Sequence, residues 1–172
     1  MVIILMGYMG SGKSTVGKNL SNLLGFDFID LDAYIEQKEN QAIADIFKSR
    51  GEIYFRKKES FYLNEVLEKR NVVIALGGGT PCYGTNMPHI LTNENSKSIY
   101  LKLSISNLVA RLNNETSKRP LISHLSTDDE LVEFIGKHLF ERSPFYNQAD
   151  LTISADSKTV DELTEEIVSK LF

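Results

Sequence analysis

Cys82 is the only cysteine in the chain, so no internal disulfide can form, and so low a thiol count suits a reducing compartment. A cytoplasmic protein is expected. Long hydrophobic runs are absent too: Val2 to Met6 are apolar but give way at once to glycine. With no basic segment before it and too few residues to cross a bilayer, this stretch reads as a buried strand, and no membrane partner is expected. Excess positive charge is also lacking. Nineteen Lys and Arg face twenty-three Asp and Glu, for a net charge of −4, which leaves no broad cationic surface for a nucleic acid backbone. The three histidines, His89, His124 and His138, are far apart and match no metal-ligand spacing. No internal repeat or low-complexity linker interrupts the 172 residues, 42% of them hydrophobic, and a single domain over 1–172 is expected.

Apolar runs with strand character recur at Val2 to Met6, Phe26 to Leu31, Val72 to Leu76, Ile99 to Leu103 and Leu151 to Ile153, with helical stretches between them. Alternation of this kind points to an α/β fold of three layers, a five-stranded parallel sheet with helices on both faces, because parallel strands need long crossovers and the crossovers cover the sheet. The first helix should end near Leu24, where Gly25 can take the left-handed conformation. Thr159 with Glu162 and Thr127 with Glu130 have the spacing of capping boxes for two late helices. Between Asn114 and Ser126 periodicity fails and polar residues dominate, so about 114–126 reads as a mobile loop framed by ordered elements, a candidate lid.

Gly7-Tyr8-Met9-Gly10-Ser11-Gly12-Lys13-Ser14 matches the phosphate-loop pattern in the context that pattern requires, after a strand and opening a helix. Glycines let the backbone turn its N–H groups toward phosphate oxygens, and the helix dipole adds to that field. Lys13, read as a flexible exposed cation, would reach the β- and γ-phosphates of ATP, and the Ser14 hydroxyl would bind Mg²⁺. Asp30-Leu31-Asp32 follows the second strand. One carboxylate there can hold metal-bound water while the other orients or deprotonates an acceptor hydroxyl; alternatively, Asp32 only caps the next helix. Gly77-Gly78-Gly79 after the third strand can let a small acceptor lie against the main chain, or can be a structural turn. Arg56 and Arg142, taken alone, read as solvated surface cations.

Together the phosphate loop, Asp30-Leu31-Asp32, Phe55-Arg56, Gly77-Gly78-Gly79, Lys118-Arg119-Pro120-Leu121 and Arg142-Ser143-Pro144-Phe145-Tyr146 resemble the shikimate kinase family in content, order and spacing over nearly the whole chain. The resemblance implies a P-loop kinase of the nucleoside monophosphate kinase type that transfers the γ-phosphoryl group of ATP to the 3-hydroxyl of shikimate. That reaction is a step toward chorismate and the aromatic amino acids. It further implies catalytic roles for Lys13, Asp32 and Arg119, with Asp32 as base. ATP would be held by Gly10, Ser11, Gly12, Lys13, Ser14, Thr15, Arg111 near the adenine, and Arg119 from the lid. Shikimate would be held by Asp32, Arg56, Gly78, Gly79 and Arg142, the two arginines chiefly through its carboxylate. Ser14, and Asp30 through water, would hold one Mg²⁺. The partners implied are ATP and shikimate, and a monomer is expected. Two other readings stand beside this one: a P-loop kinase of another small polyol or sugar acid such as gluconate, which would keep Lys13 without needing these arginines, and a non-catalytic nucleotide-binding protein.

Overall fold

The computed structural model describes residues 1–172. Its one sheet has five parallel strands in the order β2-β3-β1-β4-β5. They are β1 (Val2–Met6), β2 (Asp27–Asp30), β3 (Val72–Ala75), β4 (Ser96–Lys102) and β5 (Leu151–Ser154). β1 lies in the centre and is buried along its whole length, which is why its sequence is an unbroken apolar run instead of an alternation. Beside it run β3, with Leu5 paired to Ala75, and β4, with Leu5 paired to Ile99.

Only β1 keeps both of the boundaries that periodicity suggests, and the differences in β4 and β2 have identifiable causes. β4 begins three residues before Ile99, and its buried start is polar: the backbone N–H and hydroxyl of Ser98 both donate to Asp150 Oδ2, at 2.8 and 2.7 Å. A serine whose hydroxyl is satisfied in this way can be buried at little cost, and a hydrophobic pattern does not register it. β2 stops at Asp30 because that carboxylate accepts from the N–H of Ala33 at 3.3 Å and so turns Leu31 into the first residue of α2 (Leu31–Glu39). Asp30, and not Asp32, is thus the cap of that helix.

α1 (Lys13–Leu24) opens at Gly12 and closes at Gly25, whose φ of 66° lets its N–H turn back to Asn22. It carries the chain from β1 across β3 to β2, whereas α4 (Asn86–Thr92) carries it from β3 across β1 to β4. Right-handed crossovers in opposite directions lie on opposite faces of the sheet. α7 (Val160–Leu171) packs with α1, and α3 (Ile43–Leu67) packs with α2 and α4. α5 (Ile105–Asn113) packs with α6 (Asp128–Tyr146). Adjacent strands that send their connections opposite ways, here β1 and β3, leave a crevice outside their carboxyl ends, where α/β sheets bind ligands. No helix is long and apolar enough to cross a membrane.

Both expected capping boxes are formed. In α7 the Thr159 hydroxyl accepts from the Glu162 N–H while the Glu162 carboxylate accepts from the Thr159 N–H at 2.7 Å. Since α7 packs on α1 and contributes no motif residue, the cap should act chiefly on stability. Thr159→Ala is expected to cost about 0.5–2 kcal/mol in urea unfolding, with Thr159→Ser close to wild type and turnover unchanged in both.

Candidate active site

The loop after β1 curls because Gly7, Gly10 and Gly12 have φ of 146°, 79° and 96°, conformations that side chains rarely adopt. A Cβ at Gly7 would also meet the Leu101 carbonyl oxygen at 2.7 Å. Inside the curl, Lys13 Nζ donates to the carbonyls of Gly7 at 2.8 Å and Tyr8 at 2.9 Å. Lys13 is therefore buried, 9% exposed, and not the exposed cation expected from sequence. It is the first residue of α1, and the curl that the glycines permit wraps carbonyls around its ammonium group. Burial pulls its pKa down to about 8, against the opposing pull of the Asp32 and Asp30 carboxylates.

A cleft of about 590 Å³ runs along this loop. Gly10, Gly12, Lys13, Ser14, Thr15, Asp30, Asp32, Gly78, Arg111 and Arg119 all line it. The side chain of Ser11 turns away and its hydroxyl is buried without a partner; among the loop residues expected to contact ATP, it alone is absent from the lining. Arg111 Nη1 donates to the Gly10 carbonyl at 3.1 Å, holding its guanidinium against the phosphate loop. Arg119 follows a 3-10 turn (Thr116–Lys118) and pairs with Glu115 through Nε at 2.8 Å and Nη2 at 2.7 Å. Its segment is anchored by Ile122, which is fully buried. A larger depression of about 750 Å³ lies where the strands begin, around Met1, Lys69, Arg70 and Asn95, and contains none of the motif residues.

On the cleft floor, Ser14 Oγ donates to Asp30 Oδ2 at 2.6 Å, leaving Asp30 bound to the helix it caps and to the phosphate loop at once. Two adjacent hard oxygen donors beside a phosphate loop fit Mg²⁺, which keeps most of its waters and takes few protein ligands. No group of three or more His, Cys, Asp or Glu forms a metal cage elsewhere in the chain. Asp32 has a different environment. Burial first, and then the nearby Asp30 and Glu59 carboxylates, raise its pKa to about 6, with Lys13 opposing.

The triple glycine continues the floor. A Cβ at Gly77 would come within 2.7 Å of Asp32 Oδ1, one at Gly78 within 3.1 Å of Arg142 Nη1, and one at Gly79 within 3.0 Å of Arg56 Nη2 and 3.3 Å of Arg142 Nη2. Only glycine lets one carboxylate and two guanidinium groups come so near the backbone. The two arginines, which looked like surface cations, are thus brought together. Arg142 belongs to the inward stripe of α6, in sequence with Leu131, Ile135, Leu139 and Tyr146. It is 8% exposed and takes part in none of the nine salt bridges of the chain. A buried cation with no internal counter-ion calls for an external anion.

Sequence reasoning missed three groups here. Glu59, 1% exposed, accepts from Arg56 Nη1 at 2.8 Å and from Thr80 Oγ1 at 2.7 Å, so one carboxylate ties the arginine to the turn after the glycines. The signal available was its spacing three residues from Arg56 on a helix. Tyr8 is buried, and its hydroxyl lies 2.9 Å from Nδ1 of His138, joining the phosphate loop to α6. Burial lowers the His138 pKa to about 4, so the ring is neutral, and its tautomer sets which of the two groups donates. Tyr146 donates to the carbonyl of Gly78 from the same helix. The last two contacts join residues far apart in sequence and have no local signature.

Residues 9–172 match the protein family described as shikimate kinase. A shikimate kinase of Flavobacterium johnsoniae is 47% identical over 171 residues, covering 98% of each chain. The crystal structure of shikimate kinase from Bacteroides thetaiotaomicron superposes with a TM-score of 0.91 at 38% identity, covering 99% of this chain and 98% of that one. The Acinetobacter baumannii enzyme in complex with shikimate does so at 0.87 and 31%, covering 99% and 92%. With the phosphate loop and the paired aspartates in one cleft and the arginine-flanked glycines adjoining it, the chain belongs to the shikimate kinase family.

Proposed function

We propose that this protein transfers the γ-phosphoryl group of ATP to the 3-hydroxyl of shikimate, in the cytoplasm and as a monomer, on the route to chorismate and the aromatic amino acids. The observation that carries the choice of acceptor is the buried, counter-ion-free Arg142 facing Arg56 across Gly79. Two guanidinium groups suit a carboxylate, which each can meet with parallel hydrogen bonds. Gly78 and Gly79 let the acceptor ring lie against the backbone, and Asp32 stands at the junction between that pocket and the phosphate loop.

ATP lies along Gly10 to Thr15, with the N–H groups of the loop and the ammonium of Lys13 turned to its phosphates. The Ser11 contact is through its backbone, since its hydroxyl is buried elsewhere. Arg111 borders the adenine end and Arg119 meets the phosphates from the lid over 114–126. Ser14, and Asp30 through water, would hold one Mg²⁺, which would supply neutralisation of phosphate charge. Asp32 accepts the proton of the acceptor hydroxyl. With a pKa of about 6 it is ionised at neutral pH yet more basic than an ordinary carboxylate, as a general base requires. The remaining acceleration comes from alignment and from cations placed where charge gathers on the transferring group.

ADP release across shikimate, gluconate and nucleoside monophosphates tests the reading directly. Release is expected with shikimate alone, and comparable release with gluconate would move the assignment to the sugar-acid kinases. By calorimetry, Arg142→Ala should weaken shikimate binding by about 1.5–3 kcal/mol, the worth of a hydrogen bond to a charged group, with ATP binding nearly intact.

Asp32 supplies a separate test through stability. Its pKa in the fold exceeds the ordinary value of 3.8, so its favourable contribution exists below pH 4 and is lost as pH rises through about 6. Above that the ionised group is a net cost. Asp32→Asn should therefore stabilise the ligand-free protein at pH 8 by about 1–3 kcal/mol, with the gain vanishing toward pH 4, while kcat falls strongly. A mutant that keeps wild-type kcat would place the base elsewhere.

A further inference from the structure

Tyr83 lies just beyond the 3-10 turn (Thr80–Cys82) that follows the triple glycine, and none of the readings above gives it a role. Its ring is placed unusually close to Arg56: the guanidinium carbon is 3.7 Å from the ring centroid, while the Phe55 ring stands at 5.2 Å. The guanidinium is thus held in two independent ways. At one edge Nη1 donates to Glu59; on one face it stacks on Tyr83. Both Nη2 and Nη1 lie beside Gly79, 3.0 and 3.1 Å from where its Cβ would stand, and of the two Nη2 is not engaged by Glu59. Nε is buried without a hydrogen-bond partner, being 3.5 Å from Glu52 Oε1, a pairing distance without hydrogen-bond geometry.

We propose that Tyr83 is a positioning residue for acceptor binding: its ring fixes the plane of the Arg56 guanidinium so that the free N–H edge faces the acceptor carboxylate over Gly79. An arginine on a flexible stem can rotate about its last bonds, and a hydrogen bond at a single edge leaves that rotation partly open. A ring against the face removes it and also keeps water off the face, so little order is left to impose when a carboxylate arrives. Stacking acts through the π-face and not the hydroxyl. Phenylalanine should therefore replace tyrosine, and leucine, of similar bulk but without the quadrupole, should not. The proposal rests on the reading of Arg56 as a carboxylate ligand.

The test is steady-state kinetics with shikimate and ATP on Tyr83→Leu, Tyr83→Phe, Arg56→Ala and the Arg56→Ala/Tyr83→Leu double variant, with thermal melting of each. Tyr83→Leu is expected to raise the shikimate KM roughly 3- to 30-fold, with kcat and the ATP KM within about twofold of wild type. Tyr83→Phe should restore the shikimate KM. In the Arg56→Ala background, Tyr83→Leu should add nothing, because there is no guanidinium left to orient. A wild-type shikimate KM in Tyr83→Leu, together with a raised one in Arg56→Ala, overturns this proposal and leaves the carboxylate reading standing. An unchanged shikimate KM in Arg56→Ala overturns both. Tyr83→Phe as impaired as Tyr83→Leu, or equal losses for shikimate and ATP, would show that the hydroxyl or the local fold is responsible and not the stacked face.

Discussion

Parallel pairing obliges every strand to return over the sheet before it can run alongside its neighbour, and all five strands therefore finish at the same edge. That edge is where β1 releases the phosphate loop, β2 ends in Asp30, and β3 runs on through Leu76, whose N–H donates to Leu5 at 3.0 Å, into the glycines. The register pairs Asp30 and Leu5 with the same residue, Ala75, so the aspartates, the phosphate loop and the glycines stand level with each other. Distances within the crevice follow from this ladder more than from any single contact between the groups. A shift of one residue in β2 would carry Asp30 away from Ser14 and turn the paired carboxylates to the other face.

Once assembled, the groups constrain one another electrically. Lys13, Arg56 and Arg142 are cations withdrawn from water, and Asp30, Asp32 and Glu59 are the acids set among them. The outcome differs with the geometry of each. Glu59 accepts from Arg56 and Thr80, and both of its oxygens are used. Burial holds Asp32 above its ordinary pKa, with the Asp30 and Glu59 carboxylates adding to it, and burial holds Lys13 below its own in spite of the Asp32 and Asp30 carboxylates. Both shifts move the groups toward neutrality in the isolated fold. For Lys13 the shift expresses a standing cost that a polyphosphate would relieve, which is what a binding site, as opposed to a structural ion pair, is expected to carry.

This bears on what the sequence disclosed. The phosphate loop and β1 were legible because their signals are local: a glycine pattern of fixed spacing after five buried residues. The caps at Thr127 and Thr159 were legible for the same reason. Arg142 was legible in principle, since it occupies a place in the apolar stripe of Leu131, Ile135, Leu139 and Tyr146 where a solvated cation does not belong. What could not be read were the states of residues set by distant partners. Lys13 is buried by carbonyls that reach it only once the loop has curled. Ser96 and Ser98 are buried because other groups answer their hydroxyls. Tyr8 meets His138 across 130 positions, and the contact between Tyr83 and Arg56 exists only after α3 has packed beside the turn. Periodicity reports a residue's own preference for water and says nothing of a partner that cancels it.

Arg56 keeps its place although its helix is broken, because distant partners hold the segment that carries it. Gly51, at φ 81° and ψ 172°, interrupts α3 five residues earlier, so the segment from Glu52 onward cannot inherit its direction from the first half of the helix. It is instead tied to the end of α2. Glu39 accepts from Tyr54 at 2.7 Å and Tyr62 at 2.6 Å, with Lys58 at 3.2 Å, and these partners, the tyrosines first, hold its carboxyl down to about pKa 2. Those three partners lie on both sides of Arg56 and Glu59 along the helix. They fix the segment while Phe55, Leu63 and Val66, all buried, anchor its inner face. With position set by this brace and rotation limited by Glu59 and Tyr83, the guanidinium is determined by residues on α2, α3 and the turn after β3. The place of this guanidinium beside the triple glycine is therefore specified by the packing of three separate segments, and the break at Gly51 lets the second half of α3 take its own direction.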